Sequence, residues 1–321
     1  MAAGAAFVPG TVVHGAGHFV VGEAQTGWRL LAAQGTGVGL LALGIGGLAV
    51  TGASPWLIQP FIFAATGGVA LFVLPLFADL YGVIAPAIGA GEPLRVTPSL
   101  SVSVGYRHVD NPVFGYRHLS RTHVEISGGA WGARPVHWRA VDGDNVRTEV
   151  PLYFRPIDRR GDGLDGTFVE VELGYSLHQH GGDAFTEQVG HALTRARLDL
   201  AHIGPTLAGS FVQAGVGYGA GWVSYEGLPG DATQLTLAEV AWGFYLGRRP
   251  QFGEFAIYYD HRHDGYAAGL KSTGVGSGAI GHVGARVERS VWGDFGLAAD
   301  VEVGSALVAG ASLVYRHGAG R

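Results

Sequence analysis

The chain has 321 residues, of which only 15% are charged, and its formal net charge is −5 at neutral pH. This slightly acidic balance excludes the basic surface typical of nucleic-acid binding, and the absence of cysteine excludes disulfides and thiolate metal sites. The low charged fraction and the positive mean hydropathy of +0.23 indicate a membrane protein or a protein with a very large core.

The first part of the chain divides into three stretches. Residues 1–25 are mildly apolar and Gly-rich, residues 26–85 are strongly hydrophobic, and residues 86–97 form a Pro- and Gly-rich linker. Residues 98–317 follow as a fourth stretch with a different pattern. These composition shifts predict an N-terminal segment, a hydrophobic unit, a linker and one large domain.

The hydrophobic stretch contains two apolar runs, Trp28 to Val50 and Trp56 to Ala78. Each run reaches the roughly 20 residues that an α-helix needs to cross a bilayer. Gly52 ends the first run and Pro55 suits the first turn of the next helix. The sequence therefore predicts a hydrophobic α-helical hairpin. A buried hairpin in a large soluble core is the alternative, although neither run has a polar face.

Small residues follow the first apolar run at Gly35, Gly39 and along Leu43 to Gly47. Small side chains allow two helix backbones to approach closely in a membrane. We therefore expect the two helices to pack along this line.

Residues 98–317 repeat an alternating pattern that is clearest from Val169 to Leu177. Apolar side chains alternate there with Glu170, Glu172, Gly174 and Ser176, so a β-strand would have one apolar and one polar face. Turn residues separate successive copies. The pattern predicts twelve antiparallel strands: 98–108, 119–130, 134–142, 145–155, 166–178, 187–202, 207–224, 233–247, 252–262, 274–289, 293–304 and 306–317.

The strand count depends on the Gly-rich segment from Gly128 to Gly132. If this segment is a turn, it separates two strands, and if it is a bulge, the count falls. Bacterial membrane barrels have even strand numbers. Twelve is therefore our prediction, and ten is the alternative.

Charges of both signs occupy the second face of these strands. A soluble barrel of the lipocalin type would direct its apolar face inward, whereas a membrane barrel directs that face to lipid and the polar face to the lumen. The many interior charges and the preceding hydrophobic runs favour the membrane arrangement. We place Val136 and Trp138 on the lipid face. We predict a lumen charge network of Glu125, Arg139, Glu170, Glu172, Arg195, Arg197, Asp199, Arg286, Glu288, Asp300 and Glu302.

Connection lengths predict how the barrel is oriented. The connections after residues 108, 178, 224 and 262 are longer than most of those at the other end. Long loops face outside and short turns face the periplasm. Both ends of the barrel, and hence the connection to the hydrophobic hairpin, are then predicted on the periplasmic side.

Residues 98–317 resemble the bacterial outer-membrane β-barrel proteins through this strand pattern rather than through a diagnostic motif. The resemblance implies a Gram-negative outer-membrane location and insertion by the barrel-assembly machinery. The lipid bilayer is then the main partner, and residues 26–85 provide a possible surface for a protein partner.

Two histidine-containing segments fall on predicted outer loops. Asp260, His261, His263 and Asp264 offer imidazole and carboxylate ligands that could bind Zn²⁺ or another divalent ion. His178-Gln179-His180 lies on a second outer loop. Ordinary solvated loop polarity is the simpler interpretation of both segments. We expect no other cofactor.

The sequence favours a structural or scaffold role in a membrane assembly, with a lumen filled largely by charge. A passive or selective solute pore is the first alternative. A lipid-modifying enzyme at the barrel rim is the second, and it would need Ser176 or Ser224 beside His178 or His261. We expect no enzymatic activity, because no Gly-x-Ser-x-Gly motif lies in a suitable context.

Overall fold

The computed structural model describes residues 2–52, 57–88, 90–94, 97–110, 117–160, 165–181, 185–225, 228–247, 252–261, 281–304 and 306–317. The chain forms two compact units. The first comprises Met1–Gly91, Leu198–Gln213 and Val240–Tyr245, and the second comprises Glu92–Arg197, Ala214–Glu239 and Leu246–Arg321.

Within the described residues the first unit contains four α-helices. They are α1 (Ala2–Phe7), α2 (Ala16–Val20), α3 (Ala24–Thr51) and α4 (Ile58–Ile88). Two segments, Ala24–Thr51 and Ile58–Ala85, are long and apolar enough to cross a membrane. The prediction of two long apolar helices is confirmed.

The helices α3 and α4 approach closely where α3 has glycine. A Cβ atom on Gly37 would lie 2.6 Å from the backbone nitrogen of Phe72, and one on Gly44 would lie 2.7 Å from the carbonyl oxygen of Phe61. Gly35 and Gly39 have nothing within 4 Å of that position. The predicted small-residue contact line is therefore right for the segment Leu43 to Gly47, which contains Gly44, and wrong for Gly35 and Gly39. Gly37 and Gly44 are seven residues apart, which is two helical turns, so they share one face.

Within the described residues the sheet has twelve strands, and β3 has two segments. The strands are β1 (Leu100–Asp110), β2 (His118–Gly128), β3 (Trp131–Ala133 and Val136–Ala140), β4 (Asn145–Asp158), β5 (Phe168–His180), β6 (Phe185–Asp199), β7 (Ser210–Tyr225), β8 (Leu228–Tyr245), β9 (Gly253–Asp260), β10 (His282–Trp292), β11 (Phe295–Val303) and β12 (Leu307–His317).

Each strand pairs with its neighbours in chain order, and β1 pairs with both β2 and β12. Leu100 is opposite Ile126 on one side and His317 on the other. The sheet is thus a closed antiparallel barrel, and a closed barrel leaves no unpaired strand edge. Gly129, with φ of 65°, lies in the turn between β2 and β3. The prediction of twelve strands rather than ten is confirmed.

Strand β5 shows which face points inward. Glu170 and Glu172 are 0% and 3% exposed, whereas Leu173 and Tyr175 are 60% and 48% exposed. Charged side chains therefore line the lumen and apolar side chains cover the outer surface. This arrangement is that of a membrane barrel and excludes the lipocalin-type alternative.

Strand β3 corrects part of the face assignment. Val136 and Trp138 are buried and face inward, while His137 and Arg139 are exposed. The register places Val136 opposite Glu149 and Trp138 opposite Arg147, so all four share the lumen face. The prediction was wrong because it assigned the lumen face by charge. Trp138 is accommodated inside by the Arg147 guanidinium, which lies 5.1 Å from its ring centroid.

Candidate functional site

The lumen holds a cluster built around the fully buried carboxylate of Glu170. Arg134 donates two hydrogen bonds to its two oxygens, at 2.6 and 2.7 Å. Arg155 Nε and Arg195 Nη1 each donate one more, at 2.7 Å. Three guanidinium groups from β4, β6 and the link within β3 therefore converge on one carboxylate from β5.

Further carboxylates balance these arginines. Glu172 lies 3.3 Å from both Arg134 and Arg195. Glu125 accepts from Arg134 at 3.2 Å, and Arg195 also pairs with Glu239. The cluster thus joins three arginines and four glutamates, and the opposing charges offset the desolvation that burial imposes on each group. We call these seven residues, with Tyr153 that donates to Glu125, the central cluster.

A second group of contacts links strands across the place where the barrel closes. Arg107 on β1 lies 2.7 Å from Asp300 and 3.4 Å from Glu302, both on β11. Tyr258 on β9 donates to Glu302 at 2.8 Å. These side chains cross the intervening strands β10 and β12, so they project into the lumen.

A third group lies on β6, β9 and β10. Arg197 donates to Glu254 at 2.6 Å, and Arg286 lies 3.5 Å from the same carboxylate. Glu288 pairs with Arg316 of β12. Charge pairing therefore extends well beyond the central cluster.

The predicted network residues fall in different places. Glu125, Glu170, Glu172 and Arg195 meet in the central cluster, and Asp300 and Glu302 meet at Arg107. Arg197, Arg286 and Glu288 lie in the third group. Arg139 is exposed on the outer face, so its predicted place in the lumen is wrong. Asp199 is buried and caps a 3-10 turn by accepting from the Ala201 amide at 3.0 Å.

The sequence interpretation missed three charged members of the central cluster, Arg134, Arg155 and Glu239, and also Tyr153. The alternation on β4 carried a signal for Arg155, because it has the same parity as Arg147 and Glu149. Arg134 had no such signal, since it lies at the start of a strand whose other charges point outward.

Some of the lumen side chains line a small cavity. A cavity of about 20 Å³ is lined by Arg147, Glu149, Ser176 and His191 together with apolar side chains of β6 and β8. This volume accommodates about one water molecule.

The chain matches no protein-family model and no curated protein sequence. Several solved barrels are similar in structure. A KdgM porin in complex with disordered oligogalacturonate is 11% identical, with a TM-score of 0.40 over 67% of this chain and 98% of that one. The Acinetobacter baumannii outer membrane protein Omp33 is 10% identical, with a TM-score of 0.35 over 68% and 98%. The translocator domain of autotransporter NalP from Neisseria meningitidis is 9% identical, with a TM-score of 0.35 over 74% and 93%.

Structural similarity at these low TM-scores does not identify an activity. The assignment as a membrane barrel therefore depends on the structure of the barrel itself. The strands form a closed sheet, the outer surface is apolar, and the lumen is charged. Closure satisfies the backbone in lipid, and the inverted polarity is that of a transmembrane barrel. The chain is a transmembrane β-barrel protein.

The predicted metal segment at residues 260–264 is only partly described. His261 accepts or donates a 3.0 Å hydrogen bond with the Tyr259 hydroxyl. His263 and Asp264 lie outside the described residues, and the grouping of all four with Asp260 stays a prediction. Among the described residues, a different group has metal-ligand geometry, namely His178, His180 and Glu187.

The first unit contains a buried polar joint centred on Asp79 of α4. Its carboxylate accepts backbone N–H groups from Gly15, Gly17 and His18, at 3.0 to 3.1 Å. It also lies 2.5 Å from His18 Nδ1, and His18 Nε2 lies 3.0 Å from the Thr206 hydroxyl. The sequence interpretation attached no role to Asp79. The Asp79 carboxylate therefore connects the N-terminal segment to α4. His18 extends this connection to residues 198–213 through Thr206.

Proposed function

We propose that this protein is a structural component of the outer membrane, with a barrel closed by its own side chains and a helical unit that binds a protein partner. The observation that carries the proposal is the Glu170 carboxylate, fully buried among three arginines on the lumen face. A solute pore would need this region open to water.

The contacts of the central cluster extend around half of the barrel. Arg134 reaches from β3 past β4 to Glu170 on β5, and Arg195 reaches from β6 past β7 to Glu239 on β8. Together with Glu125, these side chains connect β2 to β8, which lie on opposite sides of a twelve-stranded ring. Barrels of modest size can be filled by side chains alone.

The surface of α3 supports the partner-binding part of the proposal. Trp28, Val38, Leu43, Ile45 and Val50 are all at least half exposed. Apolar patches of this kind mark surfaces that are covered by lipid or by another protein. A passive barrel needs no such additional helices to cross the membrane.

Planar-bilayer recording tests the closed lumen. We expect no stable unit conductance from the folded wild-type protein in 1 M KCl, whereas a general porin inserted in the same bilayer serves as the positive control. The double variant Arg134→Ser with Arg195→Ser removes two arginines of the central cluster, and we expect it to conduct. Reproducible current steps from the wild type would establish a pore and overturn the proposal.

Photo-crosslinking in the native outer membrane tests the partner surface. A photoreactive phenylalanine analogue at Leu43 on α3 is compared with one at Leu173 on β5, because these side chains are 57% and 60% exposed. We expect one protein adduct of defined mass at Leu43 and only lipid adducts at Leu173. Lipid adducts alone at both positions would contradict the scaffold role.

A further inference from the structure

Two imidazoles and one carboxylate meet at the end of the β5–β6 pair. His178 is opposite Glu187, and His180 is opposite Phe185. One potential ligand atom from each of His178, His180 and Glu187 lies within 4.8 Å of the other two. Both histidines are nearly inaccessible, at 1% and 3% exposure, so the group lies on the lumen face.

A neighbouring amide contacts both histidines. Asn145 Nδ2 lies 3.2 Å from His180 Nδ1, and metal binding by His180 would replace this contact. Asn145 Oδ1 lies 2.7 Å from His178 Nε2, so that nitrogen carries the proton and donates it. The lone pair of a neutral His178 is then on Nδ1, which lies 3.9 Å from Glu187 Oε2. Histidines that bind metals characteristically donate their second N–H in this way, and the bond fixes the tautomer and the ring orientation.

We propose that His178, His180 and Glu187 bind a divalent transition-metal ion of the zinc class at this end of the lumen. Zn²⁺ takes imidazole nitrogen and carboxylate oxygen at about 2.0–2.2 Å, whereas Ca²⁺ and Mg²⁺ prefer oxygen ligands alone. Three protein ligands leave the fourth tetrahedral position for water or an exchangeable ligand.

The spacing is close to what a tetrahedral ion requires. Ligand bonds of this length place neighbouring donors about 3.3–3.6 Å apart. The 3.9 Å separation of His178 and Glu187 is therefore near the bound value, and the third donor lies within 4.8 Å of both. Metal binding would tie β5 to β6 beside their connection.

Calorimetric titration of the full-length protein in detergent, with Zn²⁺ in chelator-treated buffer at pH 7.5, tests the site. We expect His178→Ala and Glu187→Gln each to weaken Zn²⁺ binding at this site at least tenfold. Asn145→Ala, which removes the orienting amide, is expected to weaken it by roughly tenfold. His137→Ala is the matched control, because His137 is exposed on the outer face and bonded to Thr148. We expect this control to bind as the wild type does.

A second measurement keeps the test decisive if a variant fails to fold. Co²⁺ bound to the wild type through two imidazoles and a carboxylate should give visible ligand-field bands, which equimolar Zn²⁺ should displace. Absence of such bands in the folded wild type would overturn the proposal. So would Zn²⁺ titrations that are unchanged in His178→Ala, or binding that is lost only in a His261→Ala and His263→Ala variant.

Discussion

At the residue scale, many ion pairs of the lumen converge on a few side chains. Glu170 alone accepts from Arg134, Arg155 and Arg195, and its side chain is fully buried. A buried charge is tolerated because its partners are in place, so removing one member leaves an excess of buried charge on the others.

Glu170→Ala is therefore expected to destabilise the barrel by about 3–5 kcal/mol, because three buried arginines lose a shared partner. The measurement is the free energy of unfolding from a urea titration in detergent. Asp231→Ala is the control, since Asp231 is exposed on β8 and accepts only from the adjacent Ala232 amide among its described contacts. A change of more than about 0.5 kcal/mol is not expected there. Equal effects of the two substitutions would contradict the role of the central cluster.

A second prediction at this scale concerns His14, which lies outside the two long helices and against the Phe72 ring at 5.3 Å. Burial lowers the pKa of His14, and this effect outweighs the Asp79 charge, which raises it. A lowered pKa means that the neutral form stabilises the fold. That contribution is complete above the ordinary value of about 6.5 and is lost as the pH falls through the folded value.

Hydrogen exchange measures this effect. Amides of residues 2–23 should exchange faster at pH 5.0 than at pH 7.5 after correction for intrinsic rates. His14→Phe keeps an aromatic ring beside Phe72 but cannot take up a proton, so it should reduce the difference. A pH dependence of the same size in His14→Phe would show that another group is responsible.

At the element scale, the α3–α4 pair depends on where glycine occurs rather than on how much glycine there is. Gly37 and Gly44 face the backbone of α4, while Gly35 and Gly39 do not. The sequence pattern indicated Gly35, Gly39 and the segment with Gly44 but not Gly37, because only the rotation of the helix decides which glycines face α4.

Gly37→Leu is expected to push the helices apart, because any side chain there meets backbone atoms of Leu71 and Phe72. Overpacking of this kind typically costs about 1–3 kcal/mol. Gly35→Leu is the matched control and should be neutral or slightly stabilising, since leucine favours helix more than glycine does. Denaturant titration followed by the helical circular dichroism signal measures both. A smaller decrease in the free energy of unfolding for Gly37→Leu than for Gly35→Leu would contradict the observed interface.

At the scale of the whole molecule, closure of the barrel rests on the pairing of its first and last strands. Ser103 on β1 is opposite Val314 on β12, and both side chains are buried on the lumen face. The chain has no cysteine of its own, so an introduced pair reports on this contact alone.

The double variant Ser103→Cys with Val314→Cys is expected to form a disulfide under mild oxidation. Directly opposite residues have Cβ atoms about 4.5–5.5 Å apart, near disulfide reach, while diagonal pairs are about 7–8 Å apart. Ser103→Cys with Ser312→Cys is the diagonal control, because Ser312 is opposite Gly105. Non-reducing electrophoresis separates the crosslinked barrel from the open chain. More efficient crosslinking in the diagonal pair would show a different register.

The sequence by itself determined the two long helices, the twelve strands and the inward direction of the charges on strands such as β5. These features depend on local periodicity and turn residues, which a single strand or helix displays completely. It also indicated Glu170, Glu172 and Arg195 as lumen residues, because alternation fixes their face.

Only the tertiary structure decided which side chains meet. Charge alone assigned Arg139 to the lumen, but the register of β3 turns it outward and brings in Arg134. The convergence of His178, His180 and Glu187, and the joint between Asp79, His18 and Thr206, likewise depend on residues brought together from separate elements. Such meetings are set by the pairing of elements and by helix rotation, which no local pattern encodes.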